Sequence, residues 1–536
     1  MSERVSRVRL GARTVEVPEG SPVLSAFGRG VPIVQRSIRF HRPRAAFCGV
    51  GYCTQCLVRV NGVPNVRACT YRPADGDRVS VENAWPSPRL DIYGILDFLF
   101  PRGIDTARGF RRPAFAVPLY QRVVRRLAGT GHLSDHASTP PRGPNPERAT
   151  DVLVVGAGSS GRLSAKKAAQ RGDSVAIVDR APMAPASTDG SIQWSTTAVF
   201  LPGPQPGDGR PFRLITVGPE GAVSNAAREV VVATGSYDAG LWFAGSDRPG
   251  VLTADAALAL TAQQGAPPFR RAMVFGTGPR VRLVLDRLGP AVDCVAAPGT
   301  IEPELANQAA TLGVDLYPRI LLSSASGRSR VRSVRLAPRG RGTPFDVAVD
   351  AVVLAHRRMP SVQLLFQAGA AMRFDRTIGA YLPVVSADGA TSVPGLFAVG
   401  ECAAGSPSNA SPTPSPGSPA SGIPGEMEGY YREFLSAPRP PGKIVACPCE
   451  DVLLPELEHA SRKGYRGLEV VKRYTGLGTG LCQGRYCLPE ALLALSIWEG
   501  RPPSEVGFIT QRPPVVPVPL GDLARLPEAP ETGEVE

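Results

Sequence analysis

Eight of the ten cysteines in this 536-residue chain fall into two tight quartets, and no other feature constrains its fold as strongly. Cys48, Cys53 and Cys56 are spaced C-x4-C-x2-C, and Cys69 follows after twelve intervening residues. That is the plant-type [2Fe–2S] spacing. Four thiolates must converge on two irons, and Gly49 and Gly51 let three of them come from one turn of chain while N–H groups approach the sulfurs. A four-cysteine zinc site usually pairs two C-x2-C knuckles, and here there is one. The second quartet joins Cys447 and Cys449 to Cys482 and Cys487, a C-x-C pair 32 residues before a C-x4-C pair. It suits a [2Fe–2S] site between helices, with Gly476, Gly478 and Gly480 forming a tight loop whose N–H groups reach the sulfurs. Zinc and reactive thiols are the alternatives at both quartets. Cys294 and Cys402 fit neither group and read as buried small apolar residues.

Clustered thiols act as ligands in a reducing compartment, and the N-terminus, MSERVSRVRL, lacks the apolar core of a signal peptide. A cytoplasmic protein is the expectation. No run approaches the ~20 apolar residues of a membrane span. The candidate at 92–100 is too short and contains Asp97. The net charge of +13 is carried almost wholly by arginine, spread along the chain without a basic block, and aromatics are 6%. Nucleic-acid binding is therefore not expected.

At ~150 residues per domain the length allows three or four domains. Residues 1–85 read as a small β-rich unit, with hairpins at Gly11-Ala12 and Asn61-Gly62 and a helix starting at Ser21-Pro22. Residues 86–149 form a connector with a linker-like tail, and a strand runs from Asp151 to Val155. Alternating strands and helices then indicate doubly wound α/β sheets. The expected division is a first dinucleotide-binding domain from 150–240 and 356–404 and a second Rossmann-like domain from 241–355. A Ser/Pro-rich linker at 405–440, a terminal unit at 441–520 and a tail at 521–536 complete it.

Gly156, Gly158 and Gly161 follow the 151–155 strand and open a helix, and Asp179 ends the next strand. This is the dinucleotide pattern: glycines for a tight turn at the pyrophosphate, an acid for the ribose. A turn kept only for packing is the alternative, and Arg162, Lys166 and Lys167 make the helix unusually polar. Thr234 and Gly235 in VVVATGSY and Gly400 and Glu401 in GLFAVGEC are the other strand ends. Similar segments close round FAD in two-dinucleotide flavoproteins, with Glu401 here in the place of an aspartate on the ribityl chain. A second turn has Gly276 and Gly278, but Val281 stands at the third glycine position and the next strand ends without an acid. It reads as a Rossmann fold that binds NAD poorly. No residue reads as a substrate acid or base; His41, His132, His136, His356 and His459 are isolated, at the surface or in the core.

The chain resembles the α subunits of heteromeric sarcosine oxidase, opine oxidase, hydrogen cyanide synthase and dye-linked proline dehydrogenase over nearly its whole length. HRPRAAFCGVG, PNVRACT and ENAWPSPRLD carry the resemblance near the N-terminus, and ATGSYD, DRPGVLTADAA and FGTGP carry it in the middle. TGLGTGLCQGRYC with GRPPSEVGFITQRPPVVPVPLGDLA is its most specific part. The resemblance implies an α/β, two-dinucleotide-binding-domain flavoprotein of Rossmann type. Flanking it would be an N-terminal β-grasp ferredoxin-like domain and a small C-terminal helical iron–sulfur domain, similar to bacterioferritin-associated ferredoxin. It implies two [2Fe–2S] clusters, FAD in the first nucleotide site (NAD or ATP in some relatives) and an FMN at a subunit interface. The implied partner is a D-amino-acid-oxidase-like, FAD-containing β subunit that binds the amine or imino acid. The implied role is electron transfer in an amine or imino-acid dehydrogenase or oxidase of the opine, sarcosine, glycine or proline class. Its electron acceptor could bring it to the inner membrane peripherally. The folate-binding half of sarcosine oxidase α has no counterpart before Glu536, so sarcosine with tetrahydrofolate is not the expected pair. Two rivals stand beside this reading: a self-contained NAD(P)H-dependent flavin and iron–sulfur oxidoreductase, and a non-catalytic nucleotide-binding scaffold subunit.

Overall fold

A computed structural model describes residues 4–101, 103, 118, 147–181, 192–204, 209–219, 221–376, 378–404, 424–518 and 520–524. Most of the 86–149 connector, most of the Ser/Pro-rich stretch and most of the tail lie outside them, as do His132 and His136.

The N-terminal unit is a five-stranded sheet in the order Arg13–Pro18, Val5–Leu10, Arg78–Ser80, Leu57–Val60, Val63–Arg67. Only the pair Val5–Leu10 with Arg78–Ser80 is parallel. Both hairpins form where the turn residues place them, Leu10 facing Arg13 and Val60 facing Val63. Asn61 and Gly62 both take positive φ (49° and 85°), as a two-residue turn matched to the strand twist requires. The helix expected from Ser21-Pro22 is a single 3-10 turn, Val23–Phe27, without a side-chain cap. Gly28 at φ 113° breaks it before an α-helix can propagate. Val8, Val17, Val23, Leu24, Val58 and Val79 fill the core, and Cys56 and Cys69 are packed into it.

The first dinucleotide domain is built on a seven-stranded sheet. Its central strand, Gly221–Val232, serves two pairings. Its first half runs antiparallel to Phe212–Gly218, while its C-terminal half lies parallel between Glu147–Val155 and Leu396–Ala398. The strand expected from Asp151 begins four residues earlier, at Glu147, because 147–150 pair with 224–227 of that central strand. The helix Ser159–Gln170 buries Gly161, Ala165 and Ala168, and Lys166 and Lys167 lie on its exposed side. A narrow stripe of small residues is enough for close packing, which resolves the polarity seen in the sequence.

The second domain has five parallel strands in the order Val251–Thr253, Ala351–Leu354, Ala272–Phe275, Val292–Ala296, Asp315–Tyr317. Its strands are continuous apolar runs, as a sheet covered on both faces demands. The expected linker at 405–440 gives way to a helix, Pro424–Ser436. Tyr430 and Tyr431 of that helix are fully buried in the core shared with the C-terminal unit. That unit joins a short hairpin, Val445–Cys447 with Val452–Leu453, to the helices Leu454–Arg462, Leu468–Thr475 and Leu488–Glu499.

A buried ion ladder docks the N-terminal unit on both neighbours. Arg42 pairs with Asp247 at 2.6 Å, and Arg44 reaches Asp247 and, at 2.5 Å, Asp451. Arg39 adds Glu456 at 3.1 Å. Desolvation is the cost of such charges, and only multiple partners repay it.

Candidate functional site

Each quartet is assembled from two directions. Cys48, Cys53 and Cys56 come from the loop before Leu57–Val60, and Cys69 follows Val63–Arg67, so the hairpin folds the fourth thiol back onto the first three. The Cys53 N–H donates to Cys48 Sγ at 3.3 Å. Burial opposes ionisation of Cys48, but donation from the Cys53 and Cys69 thiols and from the Cys53 and Val50 N–H groups carries it well below its ordinary value. Burial and its bond to Cys48 push Cys53 up, and hydrogen bonds to Cys48 and Cys56 raise Cys69. In the second quartet the Cys449 and Cys487 thiols donate to Cys447, and Gly478 and Glu450 N–H groups add to them. Cys449 in turn is bonded to Cys482.

Among the described residues no three His, Cys, Asp or Glu side chains form a pocket for a single metal ion. The thiols instead touch in chains, Cys53–Cys48–Cys69–Cys56 and Cys482–Cys449–Cys447–Cys487. That disposition fits a two-iron core, which takes two thiolates on each iron, better than one tetrahedral ion. The backbone donors at the sulfurs also fit, since N–H groups stabilise the anionic ligands of such a core. Cys294 and Cys402 are buried and apart from both sets.

A cavity of about 440 Å³ opens at the first glycine turn. Gly156, Gly158, Asp179, Thr234 and Gly235 line it together. The three glycines divide the work. A Cβ on Gly156 would meet the Ala233 carbonyl oxygen at 2.2 Å, and one on Gly161 would meet the Gly156 oxygen at 1.9 Å. A Cβ on Gly158 would meet no atom within 4 Å. Gly156 and Gly161 let strand, turn and helix close, while Gly158 faces open space of the kind a pyrophosphate fills. Asp179 accepts from the Ala157 N–H at 2.6 Å and the Ala181 N–H at 2.7 Å, which ties the acid to the turn.

The other expected nucleotide residues lie elsewhere. Gly400 packs against Ser160, and the Glu401 carboxylate accepts from Ser236 Oγ and, at 3.1 Å, from Arg358. Neither lines the cavity. Burial raises Glu401, yet Arg358 beside it holds the carboxyl below its ordinary value. Gly276 and Gly278 form the second turn as expected, but Arg280 at the start of the next helix is drawn to Asp238, at 2.9 Å, and to Asp255. Arg358 joins the same pair of carboxylates. Although its strand ends without an acid, Glu302 reaches back to accept from Thr277 Oγ within the turn. These ion pairs engage the second turn with its own protein.

The cavity has walls that the sequence did not announce. Val50, Cys69 and Thr70 come from the N-terminal unit, Arg485 and Val515 from the C-terminal one. Tyr52 is clamped between two guanidinium groups, Arg180 at 3.8 Å and Arg485 at 4.5 Å from its ring centre. Arg180 follows Asp179, and Tyr52 and Arg485 flank cysteines, but no spacing rule pairs them across hundreds of residues. His356 is a core residue, its pKa lowered to about 3 by burial and then by Arg357. His41 is buried against Asp91 at 2.9 Å.

The fold and these sites define a flavoprotein with an N-terminal iron–sulfur module. Residues 7–84 match a 2Fe-2S iron-sulfur cluster binding domain, residues 151–390 an FAD binding domain, and residues 445–525 the sarcosine oxidase A3 domain. The chain is a homologue of the alpha subunits of sarcosine oxidases and of the corresponding opine oxidase subunits. It is 27% identical over 573 residues to the sarcosine oxidase alpha subunit of Rhizobium meliloti (strain 1021), covering 95% of this chain and 57% of that one. The chain thus spans little more than half the length of that relative. Identity to the corresponding opine oxidase subunit of Agrobacterium tumefaciens (strain Ach5) is 25%, over 70% of this chain and 92% of the relative. The solved L-proline dehydrogenase from P. horikoshii superposes with a TM-score of 0.63 at 19% identity, covering 98% of each chain, and so shares the fold. Among the described residues no helix is long and apolar enough to cross a membrane.

Proposed function

We propose that the chain is the electron-transfer subunit of a heteromeric oxidoreductase acting on CH–NH or CH–NH2 donors, amines or imino acids. The observation that carries this reading is the placement of the dinucleotide cavity: the quartet residue Cys69 and the C-terminal residue Arg485 both line it. Redox groups in that arrangement serve passage of electrons through the chain. In this reading Cys48, Cys53, Cys56 and Cys69 hold one [2Fe–2S] cluster, and Cys447, Cys449, Cys482 and Cys487 hold another. Gly156, Gly158, Asp179, Thr234 and Gly235 hold FAD, with Gly161 packing the turn beneath it. When bound, the flavin and clusters supply the change from two-electron to one-electron chemistry.

The chain's own residues bind, orient and exclude water. Gly158 leaves room for the pyrophosphate, Asp179 faces the ribose, and Arg180 and Arg485 supply positive charge beside the cavity. Substrate oxidation belongs to a partner protein, a D-amino-acid-oxidase-like flavoprotein with FMN at the shared interface. Relatives named as subunits support this. The closed ion network at the second glycine turn speaks against a self-contained NAD(P)H reductase.

The test is metal, sulfide and flavin analysis of the native protein with low-temperature EPR after reduction. Two [2Fe–2S] clusters and one FAD per chain are expected. Fewer than two clusters removes the two-cluster reading. ADP or ATP without flavin turns it into a nucleotide-binding scaffold, and rapid bleaching of flavin by NADH restores the reductase.

A further inference from the structure

We infer that the two cysteine quartets work as one electronic unit, exchanging electrons directly across a built contact between their loops, with Gln55 and Arg67 as positioning residues. The inference rests on the two-cluster reading above and adds what that reading leaves open, namely the order and coupling of the two sites.

Three independent bridges join the loops, each ending beside a cysteine. Phe47, immediately before Cys48, meets Tyr486, immediately before Cys487, edge to face with ring centres 5.2 Å apart. Gln55, immediately before Cys56, donates its side-chain N–H to the carbonyl of Pro448 at 3.2 Å, and Pro448 lies between Cys447 and Cys449. Arg67 donates from one guanidinium to the Cys53 carbonyl at 3.3 Å and to the Leu481 carbonyl, next to Cys482, at 3.4 Å. The remaining gap is packed: Cys48, Cys53, Cys482, Tyr52, Tyr237 and Tyr486 belong to one buried cluster.

The loops are more than 370 residues apart in sequence, so chain connectivity does not explain this contact. Electron tunnelling decays exponentially with distance and is fastest through dense matter, and a dry, hydrogen-bonded contact of this kind supplies both conditions. The step is balanced in the simplest way: one electron leaves one two-iron site, which is oxidised, and enters the other, which is reduced. No bond is made and no proton moves. Because Cys69 lines the dinucleotide cavity, the first quartet is the one beside the nucleotide, and the second stands one contact further along.

The experiment uses the full holoprotein. It is poised at successive potentials and followed by EPR, including power saturation, alongside iron and sulfide analysis. Once both sites are reduced, splitting or broadening and faster spin relaxation are expected that neither site shows when reduced alone. A fully reduced spectrum equal to the sum of two independent signals, with unchanged saturation, overturns the inference while leaving two clusters established. Iron and sulfide for fewer than two clusters removes the underlying reading and this inference together. Arg67→Leu and Gln55→Leu separate positioning from mere packing: each should retain both clusters yet lose part of the extra broadening. Full retention of that broadening in both variants overturns the roles given to Arg67 and Gln55. The wild-type measurement decides the coupling itself without any variant.

Discussion

At the scale of single residues, the first glycine turn separates folding from binding. Gly158 faces empty space, whereas Gly156 and Gly161 face backbone oxygens. Gly158→Val should therefore leave thermal stability near that of the parent, while nucleotide retention falls by on the order of tenfold, about 1.4 kcal/mol. Gly161→Ala should instead destabilise the fold, by about 1–3 kcal/mol, because its Cβ meets a carbonyl that cannot move far. Calorimetry paired with flavin content after gel filtration distinguishes the two, and equal stability loss in both variants would contradict this division. The glycine pattern itself was legible in the sequence, since turn, helix start and acid lie within one short stretch. Which glycine faces the ligand was not, because that depends on Ala233, over seventy residues away.

At the scale of elements, the segment from Arg39 to Arg44 acts as a docking clamp. Asp247 is fully buried between Arg42 and Arg44. Asp247→Ala leaves both arginines with an uncompensated charge, and a loss of about 3–5 kcal/mol is expected in denaturant unfolding. Burial alone would raise the Asp247 carboxyl, but Arg42 and Arg44 hold it far below the usual carboxylate range. The sign follows from linkage. A depressed folded-state pKa contributes stability in full above the unfolded value, about 3.9, and loses it as pH falls toward the folded value. Acid unfolding of the parent should thus steepen below about pH 4, and Asp247→Ala should lack that part of the slope. An unchanged acid profile in the variant would assign the docking to other contacts. The sequence displayed HRPR as a motif without its partner, because ion pairing between distant residues has no period or spacing. Local preference also failed at 424–436, where a run of Ser and Pro just before hides a helix whose two tyrosines find a core only after folding.

At the scale of the whole molecule, the two cysteine modules share one buried cluster, so metal should stabilise them together. Removing iron from the full chain should lower the melting temperature of a joint N- and C-terminal transition. Cys69→Ser should shift the same transition as Cys482→Ser, and two independently moving transitions would count against a common core. The sequence by itself determined the chemistry: which cysteines group, where the dinucleotide turn lies, and which hairpins form. Each of those is written in the spacing of residues a few positions apart, where chain geometry leaves little freedom. Tertiary structure alone decided that Cys69 and Arg485 would wall the same cavity, that Arg67 would span the two cysteine loops, and that Arg280 would engage the second glycine turn. Those contacts join residues hundreds of positions apart, and their pairing is set by how apolar cores stack the domains, which no local pattern records.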